Sequence, residues 1–135
     1  MFQSKLLETL RSRMRSFQNA GRGVAILFRS ETNAKVHLTA FIATILLGFL
    51  SSLSTWEWIS IFVVSAIVLM GEALNSAIER ACDAVTVETH PSIRDAKDLA
   101  AGAVLLASGF ALLVGCLIFI PKWLPTIQSF VSSNK

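Results

Sequence analysis

The chain reads as an all-α integral membrane protein, a single domain over residues 1–135. Three uncharged stretches carry this reading: residues 36–53, 58–71 and 99–121, which are 18, 14 and 23 residues long. A spanning helix needs about 20 mostly apolar residues, within roughly 17–25. The first and third stretches suffice alone; the second does so only if it continues through Glu72 towards Glu79. The composition agrees, with 53% hydrophobic and 16% charged residues. The mean hydropathy of +0.62 is on the apolar side for a soluble protein.

Residues 4–30 lack the apolar length to span but show helical periodicity. Leu6, Leu10, Met14, Phe17, Val24 and Phe28 share one face. Arg11, Arg15, Arg22 and Arg29 share another, within a stripe of about 40°. This is the pattern of a surface helix with its apolar side in lipid and its arginines towards anionic headgroups. An ordinary amphipathic helix packed on the bundle has the same pattern. Gly21 and Gly23 are points where it could bend or break.

The first span is expected over 35–53, followed by a polar turn, Ser51-Ser52-Leu53-Ser54-Thr55. The second is expected over 56–85, ending where Glu88-Thr89-His90-Pro91 breaks the helix, because proline cannot continue one. The third is expected over 92–121, closed by Pro121 and Pro125. The stretch before Val36 holds seven Lys or Arg and two Glu, while the turn 51–57 holds no Lys or Arg. The positive-inside rule then puts the N-terminus in the cytoplasm and, after three spans, the C-terminus outside. Trp56, Trp58 and Trp123 would form a belt at the outer interface. Cys82 and Cys116 have no CxxC spacing and read as two buried free thiols.

Ionisable residues inside a membrane helix are expensive and read by default as functional. Glu72, Asn75, Ser76, Glu79 and Asp83 are spaced so that a helix gathers all five within a stripe roughly 100° wide. At 1.5 Å per residue Glu72 lies roughly 21 Å along the helix from Trp58, and Glu79 roughly 31 Å. In a hydrocarbon core of about 30 Å, Glu72 sits in the inner third and Glu79 near the cytoplasmic headgroups. Glu72 is too deep for free hydration, and burial disfavours its charged form unless a cation is near. Such a carboxylate suits general-base work on a hydroxyl held at the interface; a protonated Glu72 bonded to a neighbouring helix is the alternative.

Glu79 and Asp83 are candidates for a hard cation such as Mg²⁺, as is Glu31 at the same level just before the first span. A salt bridge from Glu79 to Lys97 or Arg80, and a solvated Glu31, are the alternatives. Asn75 and Ser76 serve either as polar contacts between helices or in orienting the carboxylates. Lys97 is a compact cation that can sit on phosphate. The small residues Ala100 to Ala103 allow close helix approach, and His37 and His90 stand alone, without the spacing of a metal site. There is no GxxxxGK[ST] or GxGxxG loop, no protein-kinase signature and no Cys/His zinc pattern. The arginines are not interleaved with aromatics, which argues against nucleic acid.

Glu72-Ala-Leu-Asn75-Ser76-Ala-Ile-Glu79-Arg-Ala-Cys-Asp83, followed by Ala96-Lys97-Asp98-Leu-Ala-Ala-Gly-Ala-Val104, resembles the small bacterial integral-membrane lipid kinases, the prokaryotic diacylglycerol kinase/undecaprenol kinase family. Ser16-Phe17-Gln-Asn-Ala20-Gly21-Arg22-Gly23 and Ser30-Glu31-Thr-Asn33 match it too, so the resemblance covers about residues 12–122. It implies a homotrimer of three-span protomers, each with an N-terminal surface helix, and active sites shared between neighbours in the bacterial cytoplasmic membrane. It implies transfer of the γ-phosphoryl of Mg-ATP to a lipid hydroxyl. By motif, Glu72 would be the general base, and Glu31 and Glu79 would hold Mg²⁺. Asn19, Glu31, Glu79, Glu88, Thr89, His90, Lys97 and Asp98 would surround ATP. Asn75 would support the carboxylates, with Ser76, Arg22 and Ala101 as further substrate or supporting positions.

His90-Pro91, the AAGAV continuation and Ile-Phe-Ile-Pro121-Lys122 look more like the Gram-positive-type, undecaprenol kinase branch. Members of the diacylglycerol kinase branch often carry a more aromatic surface helix and a Ser where Ala101 stands. Undecaprenol is therefore the expected lipid, with diacylglycerol second. A third reading, from the stripe alone, is a non-enzymatic oligomer conducting protons or cations past Glu72 and Glu79; ATP dependence separates it from a kinase.

Overall fold

A computed structural model describes residues 2–85 and 90–133, with side chains for all of these except 2–4, 6, 126, 127, 130 and 131. The described residues form four helices: α1 (Phe2–Ser30), α2 (Thr32–Leu50), α3 (Thr55–Val85) and α4 (Pro91–Ser133). The last three are long and apolar enough to cross a membrane. Two compact units divide the chain, Met1–Thr32 and Asn33–Lys135.

In the first unit α1 runs unbroken through Gly21 and Gly23, so neither glycine interrupts the helix. Its apolar residues Leu10, Met14, Phe17 and Val24 are all exposed. The helix ends at a single non-helical residue, Glu31, whose N–H donates to the Leu27 carbonyl at 3.0 Å.

In the second unit α2 stops at Leu50, three residues before the expected end at 53. Its last turn tightens, with the Ser51 N–H donating to the Gly48 carbonyl at 3.2 Å. Ser52 then takes a left-handed backbone conformation, φ 49°, a position that helical φ/ψ cannot supply. Helix α3 starts with a capping box. Ser54 N–H donates to Glu57 Oε2 at 2.7 Å, and Glu57 N–H donates to Ser54 Oγ at 3.4 Å, which satisfies two donors that a helix start would leave unpaired.

Gly48 is there because of close approach. A Cβ on it would lie 2.6 Å from Trp58 Cη2 and 3.0 Å from Leu53 Cδ1. Trp58 in turn packs at a tilt against Phe49 and Phe62, at centroid distances of 5.1 and 6.0 Å. Phe41 meets Phe62 edge-on at 5.8 Å, so aromatic contacts join α2 to α3.

Helices α3 and α4 pack along each other in antiparallel fashion. Ion pairs mark the register at both ends: Lys97 with Asp83, and Lys122 with Glu57 at 3.2 Å. At the second end Trp123 Nε1 also donates to Ser51 Oγ at 2.8 Å. The buried residues of α3 are Ile61, Val68, Glu72, Asn75 and Ser76. They lie within about 100° of one another around the helix, so one stripe is apolar at its start and polar at its end. On α4 the buried positions are Ala100 and Val104. Lipid tails are as apolar as leucine, so such burial gains mainly packing and polar contacts rather than hydrophobic transfer.

The expected stop of the third span at Pro121 is not seen: α4 continues through Pro121 and Pro125 to Ser133. Each proline removes one N–H donor, leaving the carbonyls of Leu117 and Pro121 to find other partners. Both lie late in the helix, beside the Lys122–Glu57 and Trp123–Ser51 contacts that hold this segment in place. Breaks in the backbone ladder are tolerated where side chains or water satisfy the freed groups.

Candidate active site

The polar end of the α3 stripe is its most enclosed part. Glu72 is 2% exposed, Ser76 6% and Asn75 7%. Asn75 Nδ2 donates to Glu79 Oε1 at 3.1 Å, one turn further on. This i, i+4 pairing follows directly from helical geometry, and it leaves Glu79 half-buried with one carboxylate oxygen oriented. Glu72 and Glu79 are seven residues apart, about 10.5 Å along the axis on the same face. The Asn75 Oδ1 and Ser76 Oγ atoms are buried and accept or donate no hydrogen bond among the described residues. A buried polar atom in that condition costs about 1–3 kcal/mol, and such atoms collect at functional sites.

Lys97 pairs with Asp83 rather than with Glu79. Lys97 and Asp83 face each other across the hairpin, whereas Glu79 is a turn nearer Glu72 and already engaged by Asn75. Asp98 lies 3.7 Å from Arg94 Nε, an exposed i, i+4 pair. His90 stands at the cap of α4, its carbonyl accepting from the N–H groups of Ile93 and Arg94 at 3.0 Å, with Pro91 at the first helical position, where its missing N–H is no loss. His90, Pro91, Arg94, Asp95 and Asp98 line one pocket of about 290 Å³. Helix N-termini favour anions, but here Arg94 is paired with Asp98 and Asp95 adds a second carboxylate, so the lining carries more acid than base. Ala101 is exposed on α4 beside the buried Ala100.

The structure thus brings Glu72, Asn75, Ser76 and Glu79 together on α3, Asp83 with Lys97, and His90 with Asp98. Asn19, Arg22 and Glu31 belong to the first unit. Asn19 and Arg22 are exposed, three residues apart on α1, and Glu31 accepts from Ser30 Oγ at 3.1 Å. Glu88 and Thr89 lie outside the described residues.

Among the described residues, no group of three or more His, Cys, Asp or Glu side chains gathers as a metal cage. Mg²⁺ does not require one. It is usually held by one or two carboxylates together with substrate phosphates and waters. The half-buried carboxylate of Glu79, oriented by Asn75, fits that kind of site.

Two features escaped the sequence reading. The Ser54–Glu57 capping box was legible as S-x-x-E before an apolar run. The Ser108 hydroxyl is buried and has no hydrogen-bond partner among the described residues. Interpolating between the ion pairs at the two ends of the α3–α4 hairpin brings Ser108 level with Gly71 and Glu72. A lone serine in a long apolar run gives no sign of this until the pairing of the helices is known.

Comparison with known proteins is consistent with this layout. Residues 18–119 match the family described as prokaryotic diacylglycerol kinase. The chain is 42% identical over 108 residues to an undecaprenol kinase of Bacillus subtilis (strain 168), covering 80% of this chain and 88% of that protein. It is 34% identical over 110 residues to a diacylglycerol kinase of Synechocystis, covering 81% and 63% of the two chains. A diacylglycerol kinase of Pseudomonas aeruginosa is 33% identical over 85 residues, 63% of this chain and 69% of that one. With a match over most of its length, and with the buried carboxylate of Glu72 on its second apolar helix, the chain belongs to the prokaryotic diacylglycerol kinase family and is a lipid kinase.

Proposed function

We propose that the protein transfers the γ-phosphoryl group of ATP to undecaprenol, giving undecaprenyl phosphate, at the cytoplasmic face of a bacterial membrane. The observation that carries the lipid assignment is the 42% identity to an undecaprenol kinase over 88% of that protein's length, against 34% and 33% to two diacylglycerol kinases. Diacylglycerol, converted to phosphatidic acid, is the second reading, favoured by the names of those two relatives and of the family.

Glu72 is the general base. It is buried on α3, at the inner end of the apolar run, where a hydroxyl held at the interface comes within reach and water is scarce. Its carboxylate takes the hydroxyl proton as the lipid oxygen attacks the γ-phosphorus. The bond from that phosphorus to the β–γ bridging oxygen breaks, and ADP leaves. Phosphoryl transfer depends on positioning and charge neutralisation more than on covalent help. Bound Mg²⁺ supplies neutralisation of phosphate charge. Glu79 would hold it, with Asn75 fixing the Glu79 carboxylate; Glu31 joins this set on the strength of its motif, Ser30-Glu31-Thr32-Asn33. By motif, His90, Lys97 and Asp98 at the start of α4 surround the nucleotide, with Asn19, Glu88 and Thr89; the pocket there is lined by Asp95 and Asp98, so phosphate would enter it together with Mg²⁺. Ser76, Arg22 and Ala101 are supporting positions.

The arginine face of α1 suits a surface helix on anionic headgroups. The basic N-terminal region sets that end in the cytoplasm and the C-terminus outside. The long exposed apolar faces, such as Leu105, Leu106 and Leu112 on α4, suit lipid and two further copies of the chain in a homotrimer with shared active sites. Offering purified protein undecaprenol and diacylglycerol side by side, with labelled ATP and Mg²⁺, tests the assignment. A higher kcat/KM for undecaprenol is expected. A clear preference for diacylglycerol would replace the first reading with the second, and absence of transfer to either would reject both.

A further inference from the structure

We propose that the cleft enclosed by α2, α3 and α4 holds the hydroxyl-proximal part of the lipid substrate's tail, and that it reads about the first three to four isoprene repeats of a polyprenol and none beyond. The proposal rests on Glu72 being the base at which the lipid hydroxyl is held. The cleft has a volume of about 430 Å³, within the range of roughly 300–1,000 Å³ usual for small-molecule sites. All three apolar helices contribute to its walls.

Its polarity is graded. His37 and Ser108 line the end towards Glu72, Ser65 and Thr44 lie further along, and Leu47, Phe119 and Ile120 line the far end. Val68 is the last α3 residue lining the near end, and Glu72 follows one turn later on the same face of α3, just beyond the lining. Ser108, whose hydroxyl lacks a partner among the described residues, is level with Glu72. An amphiphile therefore fits one way round, with its hydroxyl at Glu72 and its chain running away along α4. A bulk phospholipid entering in that orientation would bring its own phosphate against Glu72 and its headgroup into a space bounded by Val68 and Ser108. The substrate's own tail is the occupant that suits both ends.

Length sets the reach. From Ser108 to Ile120 is twelve residues, about 18 Å of helix. An extended chain with carbon–carbon bonds of about 1.5 Å advances about 5 Å per four-carbon repeat. The cleft thus covers three to four repeats, and the remainder of a longer prenol lies in the bilayer. Gly115 lines the cleft about two repeats from its polar end. A Cβ there would meet nothing within 4 Å, so a side chain can start there unobstructed and Gly115→Leu narrows the cleft.

The test is kcat/KM of wild type and Gly115→Leu for prenols of two, three, four and eleven repeats, with assembly followed by size-exclusion chromatography. In wild type the value is expected to climb up to four repeats and then to level off. Gly115→Leu is expected to lower it at least tenfold more for four and eleven repeats than for two. A wild-type value that keeps rising beyond four repeats, an equal effect of Gly115→Leu at every length, or loss of assembly marking the cleft as a subunit contact would each overturn the proposal. A prenol carrying a photoreactive group at its third repeat gives a second reading on the unmodified protein. Labelling of residues 111–120 that excess prenol suppresses and excess phosphatidylcholine does not is expected; no labelling there, or suppression by phosphatidylcholine, overturns it. Glu72→Gln assayed alongside separates the two levels, because full activity in that variant would remove the base while the chain-length pattern still reports on the cleft.

Discussion

Replacing Asn75 by alanine is expected to slow turnover about ten- to hundredfold while leaving the fold nearly as stable as before. Asn75 Nδ2 holds Glu79 Oε1 at 3.1 Å, and a hydrogen bond to a charged group contributes about 1.5–3 kcal/mol. If that contact keeps Glu79 in position for the metal-bound nucleotide, its loss appears in the barrier, at about 1.4 kcal/mol per factor of ten. Stability behaves differently. The substitution also removes Asn75 Oδ1, a buried oxygen with no partner among the described residues, whose burial costs about 1–3 kcal/mol. Gain and loss oppose each other, and the net change should stay within about 1 kcal/mol. Labelled phosphoryl transfer at saturating ATP and lipid, measured beside thermal unfolding in the same detergent, separates the two effects. Wild-type turnover in Asn75→Ala, or activity lost only in step with the fold, would refute the reasoning.

Three further outcomes are expected. Gly48→Ala should destabilise: helix propensity gains about 1 kcal/mol, but overpacking costs about 1–3 kcal/mol, and the new Cβ would meet Trp58 at 2.6 Å while Phe49 and Phe62 hold the ring. Gly48→Leu should be worse, and thermal unfolding at or above the wild-type temperature would count against this packing. Lys97→Ala should change stability by less than about 1 kcal/mol, because its pair with Asp83 is partly exposed (34% and 66%) and such pairs contribute little; if Lys97 serves ATP, KM for ATP should nevertheless rise several-fold, and an unchanged KM would remove it from the site. Chelating divalent cations should stop turnover and Mg²⁺ should restore it, whereas turnover in excess chelator would exclude the metal.

The architecture was legible because the three uncharged runs and the arginine face of residues 4–30 are period and length signals, which need no knowledge of contacts. The α3 stripe was legible for the same reason: Glu72, Asn75, Ser76 and Glu79 share a face in any helix. Glu79's partner was harder to read. Lys97, Arg80 and Asn75 are all within plausible reach in sequence, and the pairing of α3 with α4 decides that Lys97 goes to Asp83. The end of α4 was misjudged because proline is a strong breaker on average, while contacts at Lys122 and Trp123 hold the helix on course. The α2 boundary shifted because the chain turns at Ser52 in a left-handed conformation, just after Gly48 passes under the Trp58 ring ten residues on in sequence, and neither feature shows in the hydrophobic pattern.

Glu72→Gln tests the central claim most directly. The amide is nearly isosteric with the buried carboxyl, so helix content and ATP binding should persist, but it cannot accept the lipid's proton. General-base catalysis contributes about 10²–10⁴-fold, and labelled transfer from ATP to undecaprenol should fall at least a hundredfold. A rate within tenfold of wild type, in a preparation free of host kinase, would contradict Glu72 as the base.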